Sequence, residues 1–210
     1  MKLALLPILC VLGTANSTPI TLEERQFVSS FPSPAPGQAQ FQQKPTGALV
    51  QKAWGEVSQA YSGLTTAFKC VSAANPLAPP PSLLLNCGVG EAHKAIANKL
   101  WETTNRFSPT SSVGYVEAGS VMVAAATSLT RVQQTAFKSV ANGWAFSVKT
   151  RERQLVYESL VQQLGLYQSW SKAYNNLLPI GTRTAGDLEE ANIVKQYQAL
   201  IKQYQWDVPQ

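Results

Sequence analysis

The feature that most restricts this chain is a stripe of apolar residues that returns at steps of four or three. Val121, Ala125, Leu129, Val132, Ala136, Val140, Trp144 and Val148 keep that spacing over about seven turns. A period near 3.6 puts such positions on one face of an α-helix, whereas a half-buried strand needs alternation with period two. No segment alternates that way for long enough to make a strand, so the fold class read from the sequence is all-α.

Prolines and glycines divide the remaining stripes. After Gly47, the residues Leu49, Ala53, Val57, Ala60, Leu64, Ala67, Phe68 and Val71 mark a first helix, which the run Pro76, Pro79, Pro80 and Pro81 ends. Ser82 is the expected cap of a second helix with Leu84, Ala92, Ile96, Leu100 and Phe107 inward, and Gly88 and Gly90 predict a ragged start. Ser108, Pro109 and Ser111 precede the long stripe, and residues 150–153 kink it or separate it from the next helix. That helix carries Leu160, Leu164, Tyr167, Trp170, Tyr174 and Leu177 and stops at Pro179 and Gly181. A final helix is expected from Asp187 as cap, with Glu189 and Glu190 in its first turn and Ile193, Val194, Tyr197, Leu200, Ile201 and Tyr204 inward. The spacing predicts an up-and-down bundle of about five amphipathic helices over residues 47–206.

Ahead of the bundle the pattern changes. Residues 18–46 hold Pro19, Pro32, Pro34, Pro36, Gly37 and Pro45 among polar filler, the composition of a flexible, disordered tail. Residues 1–17 have the layout of a secretory leader: Lys2, an apolar run broken only by Pro7, then Ala15 and Ser17 where a signal peptidase reads small residues. The expected product is secreted and extracellular, and no segment is long and apolar enough to span a bilayer. Losing Lys2 lowers the formal charge from +5 to +4, and the basic residues are scattered, so nucleic acid is not an expected partner.

Chemistry-bearing residues are few. Cys10 leaves with the leader, and Cys70 and Cys87 form an even pair that an oxidising compartment turns into a disulfide. Two thiols and one histidine are too few for a zinc site, so no metal is expected. His93 reads as a solvated helix residue, and Gly88-Val89-Gly90 lacks the third glycine of a dinucleotide loop. Glu56, Glu91, Glu102, Glu117, Glu152 and Glu158 fall at solvent-facing helix positions. With no nucleophile, base and orienting group at a recognisable spacing, the chain reads as non-enzymatic, without catalytic residues or cofactor.

Rings and small residues suggest binding instead. Phe137, Trp144, Phe146, Tyr167, Trp170 and Tyr174 crowd two successive helices, near Ala124, Ala125, Ala126, Gly143 and Gly165. Such rings either fill an ordinary core, line an elongated apolar cavity, or form an exposed patch that adsorbs to a hydrophobic surface. The candidate ligand-binding residues are Leu129, Phe137, Val140, Trp144, Leu164, Tyr167, Trp170 and Tyr174.

Residues 47–204, with VMVAAATSL at 121–129 leading to Phe146 and LVYESL at 155–160 running to LLP at 177–179, resemble the fungal family of hydrophobic surface-binding protein A and cell wall galactomannoproteins. The resemblance implies a wall-associated or secreted helical bundle that coats hydrophobic surfaces or encloses a fatty acid or another apolar ligand. The Cys70 and Cys87 pair and the tryptophans depart from that pattern, which implies a distant member. A secreted effector or inhibitor that binds another protein is the alternative.

The mature chain is expected to begin at Thr18, to carry one disulfide, and to lack N-glycan, because cleavage separates Asn16 from the only sequon, Asn16-Ser17-Thr18. Intact mass before and after reduction measures all three.

Overall fold

The computed structural model describes residues 43–107 and 110–205; the leader and the tail up to residue 42 lie outside them. The described residues form helices α1 (Gly47–Ser72), α2 (Leu83–Asn86), α3 (Val89–Thr104), α4 (Tyr115–Ala124), α5 (Thr130–Lys149), α6 (Arg153–Leu177) and α7 (Ile180–Tyr204). A π-helical turn, Ala125–Leu129, joins α4 to α5 in one rod. The only pairing of extended backbone among the described residues is an isolated bridge between Gln43 and Phe107. The expected all-α bundle is what the chain forms.

The five long helices make a closed ring in which α1 packs on α3, α3 on α6, α6 on α7, α7 on α5, and α5 back on α1. Successive long helices alternate in direction. Ring order differs from chain order, however, so several neighbours run parallel. Along α1 and the α4–α5 rod, Gln51 meets Ser120, Tyr61 meets Phe137 and Phe68 meets Gly143. Along α3 and α6, His93 meets Gln163 and Phe107 meets Tyr174.

Helix ends carry the clearest corrections. Thr46 caps α1 as its position suggests, its Oγ1 accepting from Leu49 N at 3.3 Å. Ser82 does not cap α2 with its side chain; it sits in the left-handed region with φ +56°. The donors it leaves are taken by Glu152, whose Oε2 and Oε1 accept from Leu84 N and Leu85 N at 2.9 Å each. Glu152 is therefore buried, not solvent-facing. It is placed by a Schellman turn that ends α5, with Glu152 N on Ser147 O at 2.9 Å and Arg151 at φ +62°. The left-handed Arg151 costs on the order of 1 kcal/mol that glycine would not.

The last helix also starts earlier than Asp187. α7 begins at Ile180 directly after Pro179, so Gly181 lies inside it, Asp187 is exposed in mid-helix, and Glu189 and Glu190 fall well past its first turn. Pro179, with a fixed φ and no donor to lose, both ends α6 and starts α7. The expected ragged start of α3 is present as the separate short α2 and a left-handed Gly88 at φ +72°. Cys70 at the end of α1 is bonded to Cys87 at that break, 17 residues away. Closing a loop of that length contributes about 3 kcal/mol in the chain-entropy account.

The inward stripe of the α4–α5 rod follows the expected Val121, Ala125, Leu129, Ala136 and Val140, and departs from expectation at Val132, Trp144 and Val148. Between Leu129 and Ala136 the fully buried position is Gln133, with Val132 half-buried against the core. Farther on, Gly143 and Ser147 face inward while Trp144 and Val148 are exposed. The cause is close packing: a Cβ on Gly143 would fall within the Phe68 ring. Gly143→Ala should therefore lower stability by about 2 kcal/mol, as overpacking in filled cores does; a chemical-denaturation midpoint measures it, and Gly165→Ala, exposed in mid-helix with open space at its Cβ, serves as the comparison that should raise stability by about 0.5–1 kcal/mol.

Candidate functional site

One polar chain crosses the apolar interior, drawing side chains from four of the five long helices. Gln163 on α6 donates through Nε2 to His93 Nδ1 and to His93 O, both at 2.9 Å. Tyr197 on α7 donates to Gln163 Oε1 at 3.4 Å, and its hydroxyl lies 2.6 Å from that of Tyr61 on α1. Gln133 approaches Tyr61 from α5 without bonding geometry. With Tyr197 donating to Gln163, Tyr61 must donate to Tyr197, so every proton but one has a direction. Burial pushes the Tyr61 hydroxyl up to about 12 and that of Tyr197 well above the ordinary tyrosine value. His93 is thus a core residue and not the solvated one its sequence position suggests. An amide donor on Nδ1 puts the imidazole proton on Nε2, which has no partner. Burial holds its pKa down to about 4.

A second assembly is closer to solvent. Between the π turn, α1, α6 and α7 lies a cleft of about 30 Å³ walled by Trp54, Leu129, Tyr167, Trp170 and Tyr174. Trp170 and Tyr174 stack at 4.7 Å between centroids, and Trp54 leans on both at 6.3 and 5.8 Å. The rings fill most of the space between themselves, leaving room for about two waters. At its mouth stand Glu189 and Glu190, with Thr130 donating to Glu189 Oε2 at 3.1 Å. α6 and α7 close the far side where Gly186 abuts Asn175, a contact a Cβ would block.

The cleft is polar in one specific respect. Trp54 Nε1, Gln133 Nε2, Trp170 Nε1 and the Tyr174 hydroxyl are buried without a hydrogen-bond partner, and all four residues line it. Tyr174 lies near Thr103 and Trp170 but meets neither with bonding geometry. Burial pushes its hydroxyl well up against the opposing charge of Arg106. Glu56 itself pairs with Arg106 at 2.8 Å rather than facing solvent alone, which lowers its pKa.

Of the residues proposed from sequence, Leu129, Tyr167, Trp170 and Tyr174 come together in this wall. Phe137 and Val140 lie deeper: Phe137 packs on Tyr197 at 4.7 Å, and Val140 O accepts from the Tyr204 hydroxyl at 2.7 Å. Leu164 is half-buried away from the cleft, and Trp144 is 37% exposed on the outer face of α5. Sequence reasoning missed Trp54, Gln133, Glu189 and Glu190. Trp54 was visible in the series Val50, Trp54, Val57, Tyr61, Leu64, and Gln133 as a polar residue in phase with Leu129 and Ala136.

A shallow groove of about 510 Å³ lies at one end of the bundle between Val113, Tyr115, Leu178, Pro179, Ile180 and Arg183. Tyr115 and Ile180 are 70% and 79% exposed there. Among the described residues no three His, Cys, Asp or Glu side chains are grouped to hold a metal ion, and no helix is long and apolar enough to cross a membrane. No protein-family model matches the chain, and neither a curated protein nor a solved structure is significantly similar to it.

His93 makes stability depend on acidity. Its folded pKa, about 4, lies below the ordinary 6.5, so between those values the unfolded chain holds more protons. Stability should be complete above pH ~6.5 and fall by roughly 3 kcal/mol as pH drops toward ~4. Denaturation midpoints across that range measure the slope, which His93→Gln should flatten.

Proposed function

We propose that this chain is a secreted, non-catalytic binding protein whose ligand is apolar and enters the cleft between the π turn, α6 and α7. The observation that carries this reading is the set of four unpartnered buried polar groups at a cleft that also holds the rings of Trp54, Tyr167, Trp170 and Tyr174. Leaving such groups unmet costs on the order of 1–3 kcal/mol each, so a wall built this way gains by receiving a ligand. The adjoining π turn favours this position, since such turns are weak points in a helix and concentrate at functional sites. A ligand larger than the present space enters by parting α4 from α7. The disulfide supports secretion, and apolar-ligand binding is also what the resemblance to the hydrophobic surface-binding family implies.

Among the described residues, no side chain lining the cleft has the arrangement of an activated nucleophile. His93, the one imidazole, is bonded within the core to Gln163 and is not part of this wall. The second reading is a protein partner seated at the bundle end, and the exposed Tyr115 and Ile180 beside one groove are the observation in its favour.

Native mass spectrometry of the secreted protein, followed by organic extraction, tests the first reading. An apolar compound in one-to-one ratio is expected, with occupancy lowered about tenfold by Trp170→Leu, roughly the loss of one buried hydrogen bond. An empty protein that also ignores added apolar ligands would favour the protein-partner reading.

A further inference from the structure

The geometry points to a ligand headed by an uncharged group that only accepts hydrogen bonds, such as an ester or ketone carbonyl or an ether oxygen, in preference to a carboxylate, phosphate or amine. This rests on the reading of the cleft as an apolar-ligand site and narrows it.

Three of the four unpartnered groups can do nothing but donate. The indole Nε1 of Trp54 and of Trp170 each carries one N–H, and Gln133 Nε2 carries two. All three residues are more than nine-tenths buried and belong to helices α1, α6 and α5, so they converge on the cleft from three sides. Buried donors in native proteins are nearly always paired, which makes three in one wall a demand for an acceptor. A volume of about 30 Å³ suits a carbonyl, with the rest of the ligand running out past Leu129.

Charge then separates the candidate acceptors. A carboxylate or phosphate would satisfy the donors, but Glu189 and Glu190 line the same cleft and, among the described residues, no Lys, Arg or His does. Their field reaches the wall, for both acids help burial raise the Tyr167 hydroxyl well above its usual value. An anion entering there meets two like charges in a partly desolvated site, where Coulomb repulsion is strong. An ammonium would be drawn by the carboxylates and ring faces, yet it brings only donors and leaves those of Trp54, Gln133 and Trp170 unmet.

Three probes of equal chain length separate the cases: methyl octanoate, octanoate at pH 8, and octylammonium. Each is titrated into the ¹⁵N-labelled full chain while the indole N–H resonances are followed, with Trp54→Phe and Trp170→Phe serving to assign them. Methyl octanoate should move both resonances downfield in a saturable way, with octanoate and octylammonium at least ~10-fold weaker. Glu189→Gln with Glu190→Gln should narrow the gap for octanoate, since glutamine keeps the Thr130 contact and removes the charge. Octanoate or octylammonium binding as tightly as the ester would overturn the head-group inference and leave the apolar-ligand reading standing. If none of the three moves either resonance, water alone occupies the cleft and both fail.

Discussion

The interior of this bundle is organised by a hydrogen-bonded chain that no single helix can complete. His93, Gln163, Tyr197 and Tyr61 come from four different helices and are each fully or almost fully buried. In an apolar core, a polar group that loses its partner costs more than the bond contributes when made. Sliding any of these four helices by one turn would strand at least one of these groups, whereas the leucines and valines around them tolerate several arrangements. The polar chain therefore selects one register out of the many that hydrophobic burial alone permits. Apolar burial, at about 1.5–3 kcal/mol for each large side chain, supplies the driving force and little of the choice.

The ends of the ring are set by other means. Cys70–Cys87 and the Glu152 carboxylate converge on the short α2, one covalently and one through two backbone N–H groups. At the opposite end, Gly47 lies against Glu117, and Val113 N donates to Leu177 O at 2.9 Å. Parallel neighbours such as α1 and α5 cannot be joined by short turns, so these end contacts lead the chain across the ring. The cleft follows from that crossing: the π turn lies where the α4–α5 rod passes both α1 and α7.

Much of the helix content was legible because each stripe keeps a 3.6 period between prolines. Tyr167, Trp170, Tyr174 and Leu129 were found for the same reason, as large apolar residues in phase. The misses share a cause. Reading the largest apolar side chains as inward chose Trp144 and Val148 over Gly143 and Ser147, where helix–helix distance requires small residues. Taking polar residues as outward hid His93, Gln133 and Glu152, whose burial depends on partners far away in the chain. Asp187 looked like a helix cap because cap chemistry is local, whereas the start at Ile180 depends on how α6 and α7 meet at Pro179.

What the sequence determined by itself is the local part: helical periodicity, proline boundaries, the weak start at Gly88 and an even pair of cysteines. These depend on neighbours within a few positions, and the backbone responds to them wherever the segment sits. Ring order, parallel neighbours, the inward phase after the π turn and the polar chain through the core were decided by tertiary structure. The unmet donors of Trp54, Gln133 and Trp170 belong to that second group, because a donor is unmet only with respect to everything else that packs around it.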